Sequence, residues 1–290
     1  VLSSLHLRTG PFVTHLETDS DQVLQGLRSL YDPSWFVPQP EFCDFHVAVR
    51  SPFLRRWLRP KAAFLFEGGS MFKPSPRAHG LPLFEWGLNW VIATNAHQYL
   101  IIHAAAVERG GRVLILPGPP GSGKSTLCTG LAYRGWRLMS DELALVRPTD
   151  GALVALARPI SLKNESIEVI RRFVPDIVYG PPAEGTTKGT IVLARAPPDS
   201  MRRVDEPAMP GWIVFPRFAA GSETRLERRS SAETFIDLGA NSLNYSILGL
   251  EGFETLASLV GDSDCFDLAY GDLDKAVDLL TGLADGAASG

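Results

Sequence analysis

The chain has little cysteine, no surplus of positive charge and no long uninterrupted apolar run. Its three cysteines, Cys43, Cys128 and Cys265, are odd in number and far apart. That pattern excludes a disulfide framework and a thiolate metal site of close ligand spacing, and reads as buried thiols in a reducing compartment. A formal net charge of −4, from 28 Lys+Arg against 32 Asp+Glu, argues against nucleic-acid binding as the main activity. No stretch approaches the roughly 20 apolar residues of a membrane span, and none reads as a secretory signal. The expectation is therefore a cytoplasmic protein without a membrane span or a nucleic-acid partner. What the chain does have is 290 residues, 45% of them hydrophobic, enough for a substantial core.

The 22 prolines are spread through the chain and several mark joints. Residues 1 to about 80 read as a small α+β module. Val23, Leu24, Leu27 and Leu30 give Asp21–Leu30 helical spacing, Phe42–Val49 alternates like a strand, and Ala62–Phe66 is a second strand. Lys73–Pro82 is a loop by its Pro and Gly content, and a helix follows over Leu83–Ala96, with Trp86 and Trp90 as a core-facing stripe. Tyr99–Val107 reads as one strand, and Glu108-Arg109-Gly110-Gly111 as a hairpin turn into the next. Further strands are expected at Arg137–Val146, Lys188–Leu193 and Gly211–Phe215, and a helix at Asn164–Phe173. Helices over Ala232–Leu259, with a break at Gly239 or Gly249, and Asp272–Leu283 close the chain. The acid-rich stretch Asp262–Asp274 reads as polar surface between them.

The most informative segment is Gly118-Pro119-Pro120-Gly121-Ser122-Gly123-Lys124-Ser125-Thr126, which matches G-x-x-x-x-G-K-[ST]. Arg112–Pro117 before it reads as a buried strand, and Ser125–Arg134 after it has helical spacing, so the context is that of a P-loop. Glycines let the backbone turn and present N–H groups to phosphate oxygens, and the helix N-terminus adds partial positive charge there. Lys124 can reach the β- and γ-phosphates, and the Ser125 hydroxyl can ligate Mg²⁺. ATP and Mg²⁺ are the expected ligands. Two further features narrow the chemistry. Asp141-Glu142 comes on the strand immediately after the P-loop helix, and His103 lies on the strand before the P-loop strand.

These residues carry a family resemblance. Ile102–Val107, Val113–Leu127 and Leu131–Glu142 look like the C-terminal catalytic domain of HPr kinase/phosphorylase, and more closely like the HPr-kinase-related kinase A group. For that group the likeness extends to Phe84–Trp90, Arg158–Asn164 and Tyr270–Leu273, and Ala240–Gly249 is similar to the Ala-Met-Asn-Phe-Arg helix of the bifunctional enzyme. The resemblance implies an α/β fold: a P-loop kinase domain of the HPr kinase / phosphoenolpyruvate carboxykinase type over residues 98–284. A small N-terminal α+β module would occupy 1–97, and a flexible tail 285–290. It implies that His103 shapes the acceptor site near the γ-phosphate, that Lys124 holds phosphate, and that Ser125 and Asp141 ligate Mg²⁺. Asp141 or Glu142 would take the acceptor's proton.

Departures from the family pattern are equally specific. Ser161 stands where the second Mg²⁺ ligand would be a glutamate and Lys163 where an arginine would be; Glu165 at the next helix start is a candidate substitute for the lost ligand. The arginine-rich loop of reverse phosphorolysis has no clear counterpart, and Arg228 and Arg229 read as surface residues. Lys188-Gly189-Thr190 reads equally as a phosphate-reaching turn and as a solvated one. The function expected is an ATP-dependent kinase acting on a hydroxyl, such as a serine of a peptide or small protein. Alternatives are a small-molecule kinase, an ATPase, or a non-catalytic nucleotide-binding module in a peptide-maturation or secretion pathway. HPr kinases form hexamers, and the resemblance implies a homo-oligomer.

Overall fold

The computed structural model describes residues 2–52 and 60–287. They form a mixed α/β protein in two compact units. One contains the residues up to Ile92 together with Arg158–Glu168 and Asp176–Ala196; the other contains Ala93–Ala157, Val169–Pro175 and the chain from Pro197 onward. The sequence suggests a single boundary near residue 97. Contacts place the first break at Ile92/Ala93 and return two later segments to the first unit, because Ile160–Lys163 pairs with Gly189–Ala194 there.

The first unit is built on a sheet in which Ser3–Thr9 pairs antiparallel with Phe12–Thr18, which runs parallel to Phe45–Arg50; Lys61–Phe66 pairs antiparallel with the last of these. Phe12, Thr14, Leu16 and Thr18 are buried while the residues between them are partly exposed, the period-2 pattern of a half-buried strand. The helix Asp21–Leu30 makes the crossover between the parallel strands. The Ser20 hydroxyl accepts from the Val23 N–H, Asp21 lies in the first turn, Arg28 in the last, and Val23, Leu27 and Leu30 face the core. The second helix starts at Gly80, earlier than its Pro- and Gly-rich sequence suggests, and runs to Asn95. The stripe is not core-facing at both positions: Trp86 is partly buried, but Trp90 is exposed, set edge-on to Phe66 and Phe72.

The second unit carries a six-stranded sheet in the spatial order Arg137–Ser140, Ala104–Arg109, Arg112–Pro117, Met209–Phe218, Asp264–Tyr270, Arg225–Arg228. Arg112–Pro117, Met209–Phe218 and Asp264–Tyr270 run parallel. Val113 to Leu116 are fully buried, the continuous apolar run of a strand covered on both faces. Ala104–Arg109 joins Arg112–Pro117 antiparallel through Gly110 and Gly111, whose φ values of +61° and +81° meet the positive φ that a tight hairpin turn demands. Beneath this turn Glu108 is buried, accepting from the Gly111 N–H (2.7 Å) and pairing with Arg137 (2.6 Å). Arg137 also donates to the carbonyls of Arg203 and Glu206, so the buried cation is satisfied.

Three expectations change. The run 99–107 is not one strand: Leu100–Ile102 joins a small sheet with Ala144–Val146 and Leu153–Val154, Ala104–Arg109 joins the large one, and His103 lies at the crossing. Asp262–Asp274 is not surface between helices, because it contains the parallel strand Asp264–Tyr270. Nor is 285–287 a tail: the last helix runs Leu273–Ala287, and Asp285 takes two hydrogen bonds from Arg109; the remainder, 288–290, lies outside the described residues. Among the described residues no helix is long and apolar enough to cross a membrane.

Candidate active site

Strand direction assembles the site. Ala104 pairs with Pro117, which puts His103 beside the start of the Gly-rich loop. Arg137–Ser140 runs antiparallel to Ala104–Arg109, so its C-terminal end, followed by Asp141 and Glu142, lies along the same sheet edge. Met209–Phe218 pairs with Arg112–Pro117 only as far as Ile213 with Ile115, and its last residues run on beside the loop. Ligand sites of open α/β sheets form at this C-terminal edge.

The loop from Gly118 to Gly123 leads into the helix Lys124–Tyr133. Gly118, Gly121 and Gly123 have φ of +139°, +87° and +94°, conformations that L side chains rarely adopt. A Cβ on Gly123 would lie 2.2 Å from the Tyr270 hydroxyl, whereas one on Gly121 would meet nothing within 4 Å. The loop is tied to the sheet at two points: the Phe218 N–H donates to the Ser122 carbonyl (3.1 Å) and the Tyr270 hydroxyl to the Gly123 carbonyl (3.1 Å). Burial raises the Tyr270 pKa, so the phenol keeps the proton it donates. Lys124 is buried, and its ammonium donates to the carbonyls of Gly118 and of Pro119 (3.0 Å). The Ser122 hydroxyl is buried with no hydrogen-bond partner among the described residues, an unmet polar group inside the loop.

Asp141 and Glu142 sit in a turn that Ser140 shapes. Its hydroxyl accepts from the Leu143 N–H (3.0 Å) and the Glu142 N–H (3.4 Å), ending the strand where the sequence suggests continuation to Val146. The two acids then separate in environment. Asp141 is buried, and its charge, after burial itself, helps hold the Cys128 thiol well above its ordinary pKa. Glu142 is partly exposed and meets His103: Nε2 lies 3.1 Å from Oε2. The structure therefore brings together His103 and Glu142 and places Lys124, Ser125, Asp141 and the loop on one edge.

A neighbouring segment that the sequence reads as helix, but that leaves the helix between Ala240 and Tyr245, fixes His103. The His103 N–H donates to the Asn241 carbonyl (2.8 Å), and the Leu243 N–H to Ile101 (2.8 Å). Asn244 is fully buried, accepting from the Ile101 N–H (2.9 Å) and donating to the Tyr99 carbonyl (2.7 Å). The signal was an asparagine on each side of Ser242–Leu243.

A cavity of about 540 Å³ opens beside the loop, walled by Gly118–Ser122, by Phe215–Phe218 and by Arg229, Asp237 and Asn241. Arg228 is exposed and pairs with Asp264 (3.1 Å). Arg229 is not the surface residue expected: its side chain is only 11% exposed, stacked 4.3 Å over Phe215 and paired with Asp237 and Asp267 (2.9 Å).

Ser161, Lys163, Glu165 and Lys188 belong to the first unit. Lys188 lies in a turn closed by Thr186 Oγ1 donating to the Gly189 carbonyl (2.6 Å) and by Asn164, which bonds the Lys188 carbonyl and the Thr190 N–H (both 3.1 Å). Among the described residues no group of three or more His, Cys, Asp or Glu is placed to hold a metal ion. A cation here would draw on few carboxylates and otherwise on hydroxyl and water oxygens, the hard ligand set that suits Mg²⁺.

No family model matches this sequence, and no curated protein gives a significant match.

Proposed function

We propose that this chain is an ATP- and Mg²⁺-dependent kinase of the HPr kinase / phosphoenolpyruvate carboxykinase fold type. It transfers the γ-phosphoryl group to a hydroxyl, that of a serine in a peptide or small protein. The observation that carries the reading is the His103–Glu142 pair on the sheet edge that also carries the Lys124 loop: a proton acceptor beside a phosphate cradle. The unmet Ser122 hydroxyl and the open space before Gly121 support a fit to phosphate.

The chemistry asks mostly for positioning and charge. The loop N–H groups and Lys124 bind the polyphosphate, the ammonium exchanging backbone carbonyls for phosphate oxygens. Ser125 and the buried Asp141 would hold Mg²⁺, which when bound neutralises the β- and γ-phosphate oxygens. Glu142 is the base. His103, carrying its proton on Nε2, donates to the carboxylate and orients it to accept the hydroxyl proton. The environments divide the roles between the two acids: the buried one serves the metal, the partly exposed one the acceptor.

The test is transfer of labelled γ-phosphate, first to water and then to peptide and metabolite pools resolved by mass spectrometry. Lys124→Ala should abolish it. Glu142→Gln should slow turnover at least about 100-fold, the usual scale of general-base catalysis, with little change in the Mg²⁺ concentration required. Asp141→Asn should raise that concentration. Transfer unaffected by all three substitutions would refute the assignment.

A further inference from the structure

Resting on the kinase reading, the cavity beside the loop supports one further assignment. Three charged side chains stand on its wall: Arg217, Arg229 and Asp237. Arg229 is committed, paired with Asp237 and Asp267 and stacked on Phe215. Arg217 differs. It lines the cavity, is exposed, and among the described residues pairs with no carboxylate. A lone guanidinium on the wall of a cavity that a Gly-rich loop also lines is a site for an anion.

Its position is set by backbone. Arg217 pairs with Ala269 on the adjoining strand, and the next residue, Phe218, donates its N–H to Ser122 and packs its ring 5.4 Å from Tyr270. The guanidinium thus springs from a point one residue from the loop. The cavity meets Gly118–Ser122, the first half of the loop, and Asn241, whose carbonyl accepts the His103 N–H; Lys124, His103 and Glu142 are not on its wall, so Arg217 reaches the transferred group from the loop's side and not from theirs.

We propose that Arg217 is the second protein cation of the phosphoryl-transfer site, pairing with the peripheral oxygens of the γ-phosphoryl group as it passes to the acceptor. In that step the acceptor oxygen forms a bond to the γ-phosphorus. The bond from the γ-phosphorus to the β–γ bridging oxygen breaks, its electron pair leaves on ADP, and the hydroxyl proton goes to Glu142. A loose transition state spreads charge over the three peripheral oxygens, where a forked guanidinium can take two of them; Lys124 alone supplies a point charge.

The experiment needs no knowledge of the acceptor. Fluorescent ADP with Mg²⁺ is titrated into the full chain with and without aluminium fluoride, which mimics the phosphoryl group in flight. Wild type should bind ADP and tighten at least about tenfold with fluoride, the scale of one charged hydrogen-bonded contact. Arg217→Ala should bind ADP alone as wild type does and lose most of that gain, and Arg217→Lys should recover part of it. Because Arg217 is exposed and unpaired, its variants should melt with wild type, which separates loss of function from loss of fold. An undiminished fluoride gain in Arg217→Ala, or ADP binding by wild type with no gain, overturns the assignment while leaving the nucleotide site standing. Wild type that binds no ADP removes the kinase reading and this inference with it.

Discussion

Gly121 and Gly123 share a left-handed backbone but not a surrounding, and that difference makes a sharp test of the loop. Alanine at either position adopts a conformation costing about 1–2 kcal/mol. At Gly121 nothing stands within 4 Å, so strain is the whole effect, and Gly121→Ala should weaken nucleotide binding about tenfold. At Gly123 the new methyl would also displace the Tyr270 hydroxyl, losing its bond to the loop carbonyl. Gly123→Ala should abolish measurable binding of a fluorescent ATP analogue; equal losses in the two variants would show that the clip does not matter. The motif and the need for glycine were legible in the sequence. The identity of the obstructing residue was not, because Tyr270 is remote in the chain and meets the loop only through strand pairing. Arg229 was misread for a related reason: its partners Asp237 and Asp267 lie on a helix and a strand whose proximity no local pattern announces.

Elements whose two faces differ announce themselves, and elements buried all round do not. Asp21–Leu30 was legible because one side of it is polar. Leu100–Ile102 and Ala104–Val107 are buried throughout, so the run has no period, and the break at His103 leaves no mark in hydrophobicity. Asp264–Tyr270 was hidden by its acids, which Arg228 and Arg229 neutralise. In the first unit, pairing of three strands aligns His6, His15 and His46 in a row, with ring centroids 4.9 Å and 5.5 Å apart. Burial first, then the neighbouring His6, lowers the His15 pKa from 6.5; Glu17 opposes this and His46 adds to it. The folded state therefore resists a proton that the unfolded state accepts, so stability falls as pH drops below 6.5. Urea midpoints measured at about pH 7.5 and about pH 5.5 should show this loss, and His15→Gln should reduce it. An unchanged pH slope in the variant would exclude the row as its source.

Each unit of the molecule holds its own buried ion pair, Arg158–Glu85 in the first and Arg137–Glu108 in the second. Glu85 accepts from Arg158 (2.7 Å) and from the Tyr31 hydroxyl (2.7 Å), and Asn89 takes a further bond from Arg158 (2.9 Å). Burial, then the charge of Glu85, keeps the Tyr31 phenol protonated far above its ordinary range. Removing one member strands a buried charge, so Glu85→Ala should destabilise by about 3–5 kcal/mol in denaturant unfolding. Glu85→Gln, which can still accept from Tyr31, should cost less; equal costs would mean that the carboxylate charge carries the whole effect and the neutral hydrogen bond none of it. Composition could not have disclosed this network, nor that segments near residues 160 and 190 return to the N-terminal unit, since both depend on pairing across long stretches of chain.

His103 occupies the joint at which the backbone passes from the small sheet into the large one, its amide fastened to Asn241 and its ring to Glu142. Sliding either sheet against the other would therefore turn the imidazole and re-aim the carboxylate. On the kinase reading, alignment of the base and sheet registry would thus be a single variable. If the kinase reading holds, changes in the 241–244 bracket would detune turnover through His103, without touching a group that meets a substrate.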